Sequence, residues 1–128
     1  MPTVAVTKDT FEEIVASNDT VFLDFWASWC GPCTQFAPVY ERAAEANPDI
    51  VFAKVDTEAE PELAAAFGIS SIPTVMAVRE RVVLFNQPGA LPAPAFEDLV
   101  RQVREVDMSA VHAEVAQQAA GGEQQPGA

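Results

Sequence analysis

Residues 21–27, VFLDFWA, are apolar, aromatic or β-branched at almost every position, so both faces of the strand they predict are hydrophobic. Such a strand belongs in the middle of a sheet with helices over either side. VFAKVD, Val51 to Asp56, predicts a neighbouring strand, and Thr3 to Val6 a short one near the start. Two further β-like runs, Thr74 to Arg79 and Val82 to Phe85, are separated only by Glu80 and Arg81, which is the spacing of a hairpin.

Helical patterns fill the gaps. Thr10-Phe11-Glu12-Glu13 has the form of a capping box, threonine three residues before glutamate, and predicts a helix to about Asn18. Pro32 suits a first helical turn, and helical spacing then continues from Cys33 to Asn47 with Pro38 inside it. Pro61 to Phe67 predicts a short helix stopped by Gly68. From Pro94 to about Val106 an amphipathic helix puts Phe96, Leu99, Val100 and Val103 on one face. The order predicts an α/β domain whose mixed sheet is parallel where helices cross over.

After Met108 the pattern fades. Residues 109–120, SAVHAEVAQQAA, predict a helical turn or two, and 121–128, GGEQQPGA, a flexible end. The organisation expected is one domain over 1–108 with an Ala/Gln/Gly-rich extension over 109–128.

Composition narrows the function. A chain of 128 residues with 49% hydrophobic and 20% charged residues has the size and balance of one globular domain. Its net charge of −12 argues against nucleic acid or an anionic membrane as partner and leaves a preference for neutral or basic ones. The apolar run around the cysteines is broken by Ser28, Gly31 and Pro32, far short of a membrane span. The opening, MPTVAVTKDTFEE, has no basic region followed by an apolar stretch. A cytoplasmic location is therefore expected, where purely structural disulfides are rare.

The only two cysteines lie in WCGPC, residues 29–33. With Pro32 in a first helical turn, Cys30 sits at the N-terminal edge of a helix and Cys33 on the same face three residues on. That puts their Cα atoms within disulfide range, roughly 4.4–6.8 Å. Cys30 then faces unpaired backbone N–H groups and the positive end of the helix dipole, which favour its thiolate. Cys30 is expected to be exposed, and Cys33, one turn in, to be the more buried of the two. A structural bridge over so short a loop contributes only about 2 kcal/mol. Zinc needs four ligands, and the one histidine, His112, lies in the tail. Haem attachment needs histidine where Thr34 stands. Redox chemistry is the reading these comparisons favour.

Several motifs now combine. FWASWCGPC (Phe25 to Cys33) is preceded by Asp24 and followed by Pro38, Lys54 lies in VFAKVD, Pro73 in GISSIPT and Gly89 in PGAL. In this order they resemble the thioredoxin family over roughly Val4 to Asp107. The resemblance implies a thioredoxin fold, a central mixed five-stranded sheet flanked by about four helices. It implies a cis Ile72–Pro73 peptide opposite the cysteines, a proton-accepting Asp24 that serves Cys33 through water, and a Lys54 that partly offsets the Asp24 charge. Burial between apolar neighbours is expected to raise the Asp24 pKa. Trp26 is expected in the core under the site, and Trp29 as a partly exposed ring that shields the disulfide and contacts partners. Gly31, Pro32, Ile72, Pro73, Gly89 and Ala90 resemble a docking groove in which a substrate segment lies extended and bonds to backbone near Ile72.

The activity implied is reduction of protein disulfides by dithiol–disulfide exchange, with Cys30 attacking and Cys33 resolving. No metal or bound cofactor is implied beyond the redox-active Cys30–Cys33 disulfide. Electrons are expected from NADPH through a separate thioredoxin reductase, and the expected partners are that reductase and disulfide-containing proteins, met by a monomer. Two rivals stand beside this reading: a thiol oxidase or isomerase of the same fold, and a binding module or chaperone with incidental redox activity. The chain departs from the family pattern in three places. Thr34 and Ser70 stand where basic residues are usual, and Gln87-Pro88 replaces an apolar lead-in to Gly89. The Cys30 thiolate is thereby expected to lose some support and the partner set to shift.

Overall fold

The computed structural model describes residues 2–124. Its elements are β1 (Thr3–Ala5), α1 (Phe11–Ser17), β2 (Thr20–Trp26), α2 (Gly31–Ala46), β3 (Val51–Asp56), α3 (Pro61–Ala66), β4 (Thr74–Arg79), β5 (Val82–Pro88), α4 (Ala93–Glu105) and α5 (Met108–Gln124). The strands form one sheet in the order β1-β3-β2-β4-β5. β1 and β2 flank β3 in parallel, whereas β4 runs antiparallel to both β2 and β5.

The two-faced hydrophobicity of β2 is what puts it at the centre. Val21, Leu23 and Phe25 join the cluster beneath α1 and α3, with Phe11, Ile14, Leu63 and Phe67 packed there. Phe22 points the other way, into the cluster of Phe36, Tyr40, Phe96 and Val100 from α2 and α4. There Phe22 stacks on Phe52 at 5.3 Å, and Phe96 meets it edge-on at 5.7 Å. The sheet thus holds the C-terminal end of β2 rigidly between two packed layers, which is where the cysteine loop begins.

Several details differ from expectation. The capping box does not form: the Thr10 hydroxyl accepts from the Thr7 N–H at 3.0 Å and makes no side-chain bond into α1. β5 continues to Pro88 because Asn86 and Gln87 pair with Met76 and Val75, an edge position that tolerates polar side chains. The Glu80–Arg81 hairpin turn has positive φ at both residues, 51° and 67°. The flanking helices number five among the described residues rather than about four.

The extra helix is α5, where only a turn or two was expected. The Asp107 carboxylate starts it by accepting from the backbone N–H groups of Ser109 and Ala110. Met108 is buried and anchors it, and His112 Nε2 lies 2.7 Å from Glu80 Oε1. Part of the end expected to be flexible, residues 121–124, falls within the helix, and the remainder lies outside the described residues. Upstream of it, Arg79 Nη1 donates to the carbonyls of Val103, Arg104 and Val106, closing the C-terminus of α4 onto the sheet.

Candidate active site

The chain leaves β2 at Trp26 and turns within four residues into α2. Ala27 accepts a hydrogen bond from the Cys30 N–H at 3.2 Å, and Cys30 becomes the N-cap of the helix with an extended backbone. Its Sγ accepts from the Cys33 N–H at 3.2 Å, so the sulfur occupies the place a capping oxygen normally takes. Pro32 costs the helix nothing here, since a first-turn N–H has no helical partner. The two cysteines are joined in a disulfide, with Cα atoms 5.2 Å apart.

One expectation fails at the sulfurs. Cys30 was expected to be the exposed member of the pair, but it is 5% exposed and Cys33 4%. The reason lies opposite: Ile72 packs against the cluster of Ala27, Cys30 and Cys33, and its carbonyl oxygen is 3.8 Å from Cys30 Sγ. The asymmetry between the sulfurs therefore comes from their hydrogen bonding and helix position rather than from exposure. Among the described residues only Cys30 Sγ, of the two sulfurs, receives a backbone N–H, and the same donor and the helix terminus favour a thiolate there after reduction.

The opposing loop is braced from both sides. Ile72–Pro73 is a cis peptide. The Pro73 carbonyl accepts from the Gly89 N–H at 2.8 Å, and Gly89 has a φ of 117°, a backbone conformation that favours glycine. The Thr74 hydroxyl donates to the Ser71 carbonyl at 2.6 Å. Gly31, Pro32, Gly89 and Ala90 are exposed, Ile72 is half-buried and Pro73 is buried. Trp29 is 68% exposed, whereas Trp26 is half-buried rather than in the core and packs against the cysteines.

Asp24 lies on the β2 face that carries Phe22, and it is 1% exposed. Burial pushes its pKa up to about 7, against a smaller opposing pull from Lys54. Neither carboxylate oxygen meets a hydrogen-bond donor among the described residues. Lys54 is in register with Asp24 on β3, but its Nζ sits over the Trp26 ring, 5.0 Å from the centroid.

The three departures from the family pattern take distinct places. The Thr34 hydroxyl donates to the Cys30 carbonyl at 3.2 Å. Ser70, with Ser71, Thr74, Asn86 and Pro88, lines a shallow concavity of about 200 Å³ next to the Ile72–Pro73 loop that contains no charged side chain. Gln87 pairs with Val75 on the β5 edge.

One residue escaped the sequence reading. Thr57, at the exit of β3, gives both its N–H and its hydroxyl to the Trp26 carbonyl, at 2.9 and 3.0 Å. No local pattern announces it, because its acceptor is 31 residues away. Among the described residues no group of three or more His, Cys, Asp or Glu side chains is placed to hold a metal ion. No described helix is long and apolar enough to cross a membrane.

A protein-family model described as Thioredoxin matches residues 2–102. A Streptomyces coelicolor protein named "Putative thioredoxin 2" is 63% identical over 118 residues, covering 92% of this chain and 88% of that one. Thioredoxin 1 of Synechococcus elongatus is 42% identical over 90 residues, covering 69% of this chain and 84% of its own. Among solved structures, a mutant thioredoxin from Halobacterium salinarum superposes with a TM-score of 0.76 at 30% identity, covering 81% of this chain and 92% of that one.

Proposed function

Because the chain belongs to the thioredoxin family, we propose that its Cys30–Cys33 pair works in the reducing direction, as a dithiol donor to protein disulfides. Family membership and the disulfide-forming pair make it a thiol–disulfide oxidoreductase; the direction, partners and individual residue roles are the proposal. The direction rests on the family match, and the assignment of Cys30 as the attacking thiol rests on its Sγ at the α2 N-cap, bonded by the Cys33 N–H.

In the dithiol form the Cys30 thiolate attacks one sulfur of a substrate disulfide. The substrate S–S bond breaks, a mixed disulfide forms on Cys30, and one substrate thiolate leaves. Cys33 gives its proton to Asp24 through water and attacks Cys30 Sγ. The mixed disulfide breaks and the second substrate thiolate departs. The substrate gains two electrons, and the pair returns to the disulfide. A carboxylate with a pKa near 7 is suited to take that proton at neutral pH. Lys54 moderates the Asp24 charge, and Gly31, Pro32, Trp29, Ile72, Pro73, Gly89 and Ala90 form the surface on which the substrate segment lies.

NADPH supplies the electrons through a separate thioredoxin reductase. A reductant of this kind belongs in a compartment that keeps thiols reduced, the cytoplasm, and acts there as a monomer. The acidic surface suits neutral or basic partners. Equilibration with glutathione tests the direction. A strongly reducing poise supports the reading, and a poise close to that of a thiol oxidase overturns it. A Cys30→Ser, Cys33→Ser double variant that keeps full biological function would instead establish a binding module.

A further inference from the structure

Two carbonyls bracket the redox loop, those of Trp26 and Cys30, and each receives both the N–H and the hydroxyl of one threonine. Thr57 reaches the Trp26 oxygen at 2.9 and 3.0 Å, and Thr34 reaches the Cys30 oxygen at 3.2 Å from each donor. A carbonyl has two lone pairs, so each of these acceptors is fully used. Between them the Cys30 N–H donates to Ala27. The exit of β3 therefore grips the entrance of the loop, and the first turn of α2 grips its end.

We propose that Thr57 and Thr34 are positioning residues for the redox pair, holding residues 26–30 at the span where the two sulfurs meet. A hydroxyl bonded to a carbonyl one helical turn back is common, and Thr34 alone would carry no such inference. Thr57 is different, since it crosses from another strand to hold Trp26. That residue packs against Ala27, Cys30 and Cys33, and Lys54 covers its ring from the same strand that leads to Thr57. A threonine with only a structural role stabilises dithiol and disulfide forms alike. A positioning one shifts the equilibrium between them, because loosening the loop lowers the effective concentration of one sulfur at the other.

The inference rests on the pair cycling as proposed above. In the test, the dithiol reacts with oxidised glutathione to give the Cys30–Cys33 disulfide and two molecules of reduced glutathione. Full-length Thr57→Val, Thr57→Ser, Thr34→Val and Thr34→Ser are compared with the unsubstituted chain at fixed pH. Each valine variant is expected to lower the equilibrium constant for disulfide formation about two- to tenfold, the scale of one lost hydrogen bond. Each serine variant should return close to the starting value, and Thr34→Val reports even where a β3-side substitution impairs folding. An unchanged constant in both valine variants, or equal shifts for valine and serine, overturns the clamp. Failure of the unsubstituted protein to exchange with glutathione at all overturns the redox reading itself, and the clamp with it.

Discussion

Asp24 and Lys54 stand opposite each other in register on β2 and β3, yet their charges do not meet: the carboxylate is buried with no donor among the described residues, and the ammonium covers the Trp26 ring. The charge on Asp24 is therefore poorly compensated when it ionises, and its pKa rises from 3.8 to about 7. A folded-state value above the unfolded one means the native protein holds its proton longer. The contribution to stability is complete below about pH 4 and is lost as pH rises through 7, by on the order of 4 kcal/mol. Asp24→Asn should remove this slope. In urea titrations of the oxidised protein it should match the parent near pH 4 and exceed it at pH 8 by on the order of 3–4 kcal/mol. A variant less stable than its parent at pH 8 would show that Asp24 is compensated in the fold.

Lys54 holds the Asp24 pKa down. Lys54→Gln should therefore move it further up. If Asp24 takes the Cys33 proton, the pH dependence of disulfide-exchange rate in this variant shifts to higher pH. A profile that moves down, or stays in place, would contradict the assignment of Asp24 as acceptor.

The side chain of Arg79 donates to three carbonyls at the end of α4 and is 20% exposed. Arg79→Met leaves those carbonyls to water or to nothing, and should lower stability by about 2–3 kcal/mol, read from the urea midpoint. Arg79→Lys should recover only part of it, since an ammonium has no second nitrogen to reach Asp19 as Nε does while Nη1 holds the carbonyls. Its ion pair with Asp19 is largely solvent-facing and contributes little.

Both residues of the β4–β5 turn lie in the left-handed region without being glycine. Side chains there cost roughly 1–2 kcal/mol each, partly offset in glycine by its freer unfolded chain. Arg81→Gly should consequently stabilise the protein by about 0.5–1 kcal/mol in thermal or urea unfolding, with redox properties unchanged. A loss of stability would mean that the Arg81 side chain makes a compensating contact.

What was legible in the sequence had a local cause. The apolar run over 21–27 announces a central strand because both of its faces are buried, and Pro32 and Gly68 mark helix ends by backbone geometry that belongs to the residue itself. The failures are places where the competing partner is elsewhere. Thr10 has the spacing of a capping box, but Thr7 claims its hydroxyl. Asn86 and Gln87 carry no strand pattern and pair only because β4 offers a ladder. The extension has alanine-rich helix propensity, and Asp107 and Met108 supply the start and anchor that turn propensity into a long helix. The position of Cys30 at a helix edge is readable from Gly31-Pro32, but its burial depends on Ile72 from a distant loop. Thr57 escapes for the same reason, since its meaning lies in a carbonyl on another strand.

The proposed division of labour, attack by Cys30 and resolution by Cys33, is open to a trapping experiment with a Cys33→Ser variant. Reduced and mixed with disulfide-bonded proteins, it loses the thiol that releases substrate, so covalent adducts should accumulate and mass spectrometry should find them on Cys30. They should be cleaved by added dithiol, and the matching Cys30→Ser variant should collect few. Adducts that accumulate on Cys33 in Cys30→Ser, with none on Cys30 in Cys33→Ser, would contradict the account.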